Sequence, residues 1–186
     1  MSFHGQQILP AIRKVKDFER MLDSPYQYGV FLDLHISRLK SIYRLAEQHK
    51  KKMFLHVDLV QGLKSDEYAT EYICQEIKPY GVISTKGNVI LKAKQKGVYA
   101  TQRVFLLDSS SLQKSYSLIE RTNPDYIELL PGLMPKLIRE VRKSTGKPIF
   151  AGGLIETIEE VEQAIEAGAS AITTSEIAIW KHFEKR

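Results

Sequence analysis

Two pairs of small residues near the C-terminus have the composition of an anion site: Gly152-Gly153 and Thr174-Ser175. Each pair follows a short apolar run that reads as a strand, Pro148–Ala151 and Ala171–Thr173, and each precedes a helical stripe. Glycine at such a turn takes positive φ readily and lets a ligand approach the backbone. Two strand–turn–helix units in series imply parallel strands, whose turns open on the same edge. The two turns then lie side by side near a helix N-terminus, where backbone N–H groups favour an anion, most often a phosphate. Tight turns with ordinary caps are the plainer reading of the same residues.

A second polar set falls in or just after apolar runs. Asp33 lies in GVFLDL, His56 and Asp58 in MFLHVDL, Lys86 after GVIST, Arg103 in TQRVFLL and Glu128 in DYIELL. Side chains alternate along a strand, so parity groups Asp33 with Phe31, Asp58 with His56 and Phe54, Lys86 with Ser84, and Glu128 with Tyr126. Helix-facing positions must be apolar, so these sets are expected to point inward or into a mouth. Buried charges are costly unless paired or bound, and such a collection points to a small polar ligand. An internal network that only holds the sheet together is the alternative. Arg103 suits a bidentate clamp on a carboxylate or phosphate, or a pair with Glu128. His56 and Asp58 lack a third zinc ligand at suitable spacing, whereas magnesium at carboxylates is not excluded. No cofactor is expected.

The elements that must position these residues alternate regularly. Strands are expected at Gln7–Ile12, Gly29–Leu34, Met53–Leu59, Gly81–Thr85, Thr101–Leu107, Asp125–Leu130 and the two runs above. Helical stripes follow each: Val15/Phe18/Leu22, then a helix capped by Ser37, one from Ser65, one from Asn88 to Gly97, and one through Leu112 and Ile119. The last three begin near Pro135, at Thr157 and at Ile177. Thr157 and Glu160 have capping-box spacing, and Gly146 and Gly168 sit where helix ends favour a left-handed residue. Eight βα units of about 23 residues predict an α/β fold closed into a compact (β/α)8 barrel with short loops. An open doubly wound sheet is disfavoured, since no GxGxxG follows the first strand.

With 186 residues and 43% hydrophobic content the chain is expected to form a single domain, 1–186, with a sizeable core. No apolar run approaches the ~20 residues of a membrane span, and the first residues do not read as a signal peptide. The one cysteine, Cys74, excludes an internal disulfide and fits a cytoplasmic setting. The net charge of +5 permits an acidic partner such as RNA. Basic residues cluster, mostly on expected outer helices, at Arg13, Lys14 and Lys16, at Arg38, Lys40 and Arg44, at Lys50–Lys52, at Lys92, Lys94 and Lys96, and at Lys136, Arg139, Arg142 and Lys143. They serve equally as solvated faces.

Together, HVDLVQGL (56–63), STKG (84–87), QRVFLLDS (102–109), IELLPG (127–132), AGGLI (151–155) and TTSEIAIW (173–180) give the chain a resemblance to the glycerol-3-phosphate-responsive antiterminators of glycerol-uptake operons. These motifs span nearly the whole chain in order. The resemblance implies a barrel regulator without catalysis that binds glycerol 3-phosphate and then leader mRNA, preventing a terminator hairpin from ending transcription. It places the ligand's phosphate at Gly152, Gly153, Thr174 and Ser175, and its hydroxyls near Lys86, Glu128 and Asp58. Other readings are a phosphate-substrate barrel enzyme, with Asp58 or Glu128 as base and Lys86 as stabiliser, and a ligand sensor acting through a protein partner. A homo-oligomer is compatible with either.

Overall fold

Each apolar run of the sequence becomes a strand with both faces covered, and the strands close on themselves. In the structure, a computed structural model that describes Phe3 and residues 5–184, all strand pairs are parallel, in chain order, and the eighth pairs with the first. The strands are β1 (Ile8–Ile12), β2 (Tyr28–Phe31), β3 (Lys52–His56), β4 (Gly81–Ser84), β5 (Tyr99–Phe105), β6 (Tyr126–Leu130), β7 (Ile149–Gly152) and β8 (Ala171–Thr174). The helices between and after them are α1 (Val15–Leu22), α2 (Leu39–Gln48), α3 (Glu67–Tyr72), α4 (Gly87–Gln95), α5 (Ser109–Thr122), α6 (Pro135–Thr145), α7 (Ile158–Glu166) and α8 (Ile177–Phe183). This is the expected barrel of eight βα units.

Alternation divides the core in two. Outward residues such as Ile12, Phe31, Leu55, Val82, Ile127 and Ile172 pack under the helices, while Leu9, Tyr28, Val30, Phe54, Tyr126 and Phe150 fill the barrel. The interior at the strand N-termini is aromatic: Phe3 packs on Tyr28, Phe54, Tyr126 and Phe150, and the Tyr126 and Phe150 rings stack at 4.8 Å. That plug closes one end. Polar interior residues are confined to positions further along the same parity: His56, Thr101, Arg103, Glu128 and Thr173.

Caps read from the sequence are present at several helix ends. Thr157 and Glu160 form a reciprocal capping box on α7, and Gly146 ends α6 at φ 66°. Elsewhere the boundaries differ. β2 ends at Phe31, and Asp33 lies beyond it in a left-handed turn at φ 49°. Val30 and Leu32 face the interior, and Phe31 packs outward on Phe18 and Tyr43, so Asp33 does not share an inward set. β3 stops at His56, and Val57–Leu59 is a 3-10 turn, so Asp58 is not a strand residue. β5 runs from Tyr99 to Phe105, two residues earlier than expected. Ser37 does not cap α2; it lies in a 3-10 turn (Ile36–Arg38) whose cap is the His35 ring. α3 starts at Glu67 rather than at Ser65, and Asp66 caps it by accepting the Ala69 N–H at 2.9 Å. Among the described residues no helix is long and apolar enough to cross a membrane.

Candidate functional site

The strand C-termini surround a cavity of about 190 Å³ walled by residues of β1, β2, β5, β6 and the turns after β7 and β8. Its charged floor is Glu128, fully buried on β6. Arg103, its register partner on β5, donates from Nε to Glu128 Oε2 at 2.7 Å, and Thr173 on β8 donates from Oγ1 to Oε1 at 2.7 Å. Both carboxylate oxygens are therefore occupied. The bond to Arg103 uses Nε, and its two terminal nitrogens make no hydrogen bond among the described residues at a cavity wall. A guanidinium fixed in this way presents a planar donor fork to an anion.

The turn after β7 takes its shape from two glycines with separate reasons. A Cβ at Gly152 would overlap Thr173 Oγ1 and come within 3.2 Å of Glu128 Oε1. Gly153 sits at φ 73° and Leu154 at φ 62°. Gly152 is buried beneath the wall, and only Gly153 reaches the cavity. Thr157 and Glu160 cap the following helix reciprocally, and neither of its first two residues, Ile158 and Glu159, lines the cavity. The turn after β8 differs. Thr174 Oγ1 accepts the Glu176 N–H at 3.1 Å, and the Thr174 carbonyl accepts the indole N–H of Trp180 at 2.8 Å. Trp180 is buried, and its own carbonyl accepts the Tyr26 hydroxyl at 2.7 Å, so the turn is anchored to the core. Ser175 is exposed at the wall, and α8 opens without a side-chain cap. The anion-favourable edge is thus Ser175 and Gly153, with Thr174 as an internal cap as well as a wall residue.

The remaining expected ligand residues do not converge. Asp58 accepts from Ser84 Oγ (2.5 Å), Thr85 N (2.8 Å) and Thr85 Oγ1 (2.7 Å), which fixes the turn between β4 and α4. Lys86 donates to the Ser65 hydroxyl and carbonyl. Asp33 pairs with Arg13 at the rim. None of Asp33, Asp58 and Lys86 lines the cavity, and the strand-parity reading failed for the first two because each sits past its strand end. His56 is buried in the barrel with neither ring nitrogen hydrogen-bonded among the described residues. Burial, and next the Arg103 charge, lower its pKa to about 4. Among the described residues no three His, Cys, Asp or Glu side chains group as a metal site.

Sequence reasoning missed Arg13, Thr173, Glu156 and Glu176, all in the wall. Arg13 was legible only as one of a basic cluster, and Thr173 only as a strand residue. The surface cations lie elsewhere: Arg38 precedes α2, Lys40 and Arg44 are on it, and Lys136, Arg139, Arg142 and Lys143 are on α6. Arg142 donates to the Gly168 carbonyl.

Residues 8–180 match the family model of the glycerol-3-phosphate responsive antiterminators, and the chain belongs to that family. A crystal structure of the glycerol uptake operon antiterminator regulatory protein from Listeria monocytogenes is 45% identical with a TM-score of 0.95, over 97% of this chain and 98% of that one. An antiterminator-related protein from Thermotoga maritima is 29% identical with a TM-score of 0.84, covering 97% and 99%. The uncharacterized protein YgcP of Escherichia coli is 32% identical over 92% of this chain and 91% of its own. Deoxyribose phosphate aldolase from Aeropyrum pernix, 16% identical with a TM-score of 0.73 over 96% and 89%, shares the fold.

Proposed function

We propose that this chain is a glycerol-3-phosphate sensor that, in its ligand-bound form, binds the leader mRNA of a glycerol-uptake operon in the cytoplasm and prevents transcription termination. The observation that carries the ligand half is Arg103, held at Nε by a buried carboxylate with its remaining donors at the wall of a small cavity. Such a fork matches a phosphate, and Ser175, the Gly153 backbone and Arg13 border the same space. The volume lies below the ~300–1,000 Å³ of sites for drug-sized ligands, which suits a three-carbon ester better than a nucleotide. Gly152 and Thr174 shape the wall, and Asp33, Asp58 and Lys86 support the turns around it.

The sensor reading is preferred to a phosphate-substrate enzyme on the state of the candidate catalytic groups. Glu128 accepts on both oxygens, Asp58 is bound to Ser84 and Thr85, and Lys86 to Ser65. No acid–base pair of these faces the cavity. The effector therefore acts by linkage, shifting the protein toward the form that binds RNA. Calorimetric titration tests the ligand half. The wild type is expected to bind glycerol 3-phosphate more tightly than glycerol or inorganic phosphate. Arg103→Lys keeps a cation beside Glu128 but loses the fork, and is expected to weaken glycerol 3-phosphate by about 10-fold. Equal affinity for a folded Arg103→Lys protein would reject the assignment.

A further inference from the structure

A second and larger cleft, about 670 Å³, opens at the opposite end of the barrel, between α2 and the residues that lead into β3 and β4. Its wall carries six cations, Lys40, Arg44, Lys50, Lys51, Lys52 and Lys78, against two carboxylates, Glu47 and Glu76. The local balance of +4 compares with +5 for the whole chain. The mouth cavity has two arginines against three glutamates and disfavours a polyanion. We infer that the cleft at the strand N-termini, not the mouth, holds the phosphate backbone of the leader RNA. This rests on the antitermination reading above.

Not all six cations are available. Lys51 donates to the Ser24 and Tyr26 carbonyls at 2.7 and 2.8 Å, Lys40 pairs with Glu76 at 3.0 Å, and Lys52 sits over the Tyr28 and Tyr80 rings. Arg44, Lys50 and Lys78 are exposed and form no ion pair among the described residues. Two of these three have an unusual backbone. Lys50 follows α2 at φ 56°, and Lys78 ends the π-turn Ile73–Ile77 at φ 55°. The left-handed conformation strains a residue with a Cβ, and helix ends that need it favour glycine or asparagine. Elsewhere this chain follows that preference, with Gly97, Asn123, Gly146 and Gly168. Among the described residues only the two ends that border the cleft place lysine there, so charge is kept at a conformational cost. The π-turn itself is a rare element found often at functional sites, and it supplies Glu76 and Ile77 to the wall.

The decisive variant is Arg44→Gln with Lys50→Gly and Lys78→Gly, because glycine relieves the strain while removing the charge. Its melting temperature is expected to equal or exceed that of the wild type, and its glycerol 3-phosphate affinity to be unchanged. Binding to a leader transcript of the glycerol-uptake operon, with the effector present, is expected to fall at least ~10-fold at 0.1 M salt. The slope of log affinity against log salt should drop by about 2, from ~0.7 per lost phosphate contact on a single strand. Wild-type leader affinity and slope in the variant would overturn the inference and leave the antitermination reading intact, with the cleft serving another anionic partner. If the wild type binds no leader in either ligand state, both fail together.

Discussion

Glu128 organises the mouth cavity from its buried floor. Its two oxygens take one bond each from Arg103 on the adjacent strand β5 and Thr173 on β8, and thereby orient the guanidinium. A buried ion pair of this kind contributes little net stability but is costly to break on one side, ~3–5 kcal/mol, which is why Arg103→Lys is the informative substitution. His56 is the other interior group with a measurable signature. Its pKa is lowered to about 4 in the folded chain, against about 6.5 when unfolded. Between those values the unfolded state binds more protons, so stability rises with pH across the window and is lost as pH falls from about 6.5 toward 4. The contribution is on the order of 3 kcal/mol at full effect. His56→Gln is expected to flatten this part of the profile, read as the wild-type-minus-variant difference in melting temperature from pH 7 to pH 4.5. A constant difference over that range would show that His56 titrates normally.

The turns are where the elements meet the site. Gly152 lets β7 approach Thr173 and Glu128. Gly152→Ala is expected to destabilise by about 1–3 kcal/mol through overpacking, a melting-temperature drop of roughly 2–12 °C for a chain of this size, and to weaken glycerol 3-phosphate with it. A stable variant with wild-type ligand affinity would remove the turn from the account. The same turns explain what the sequence could reveal. The count of eight units, the Thr157–Glu160 cap and the glycine helix ends were legible, because apolar period and capping chemistry are local. The pair of Arg103 with Glu128 was legible as one of two options. Asp33 and Asp58 were misplaced because a left-handed residue and a 3-10 turn end their strands early, and parity holds only within a strand. Thr173 joins the site by its bond to Glu128 across β7, and Arg13 lies beyond β1 beside the turn after β8; such contacts between distant strands are not encoded by a local pattern.

At the scale of the whole molecule, ligand and RNA are assigned to opposite ends of one packed barrel. Tyr80 in the basic cleft packs edge-on against Phe54 at 5.3 Å and lies 5.0 Å from Tyr99, which contacts Tyr126 at 5.9 Å. Tyr99 and Tyr126 share strands with Arg103 and Glu128, so a continuous core joins the two ends. Coupling through it must be reciprocal: whatever factor glycerol 3-phosphate adds to RNA affinity, RNA adds to glycerol 3-phosphate affinity, typically ~5–150-fold. The most direct test is titration of the leader transcript with the purified protein, with and without saturating glycerol 3-phosphate, against a scrambled leader. The account predicts leader-specific binding that tightens within that range when the effector is present. Equal affinity in the two conditions, or equal affinity for the scrambled RNA, would contradict it.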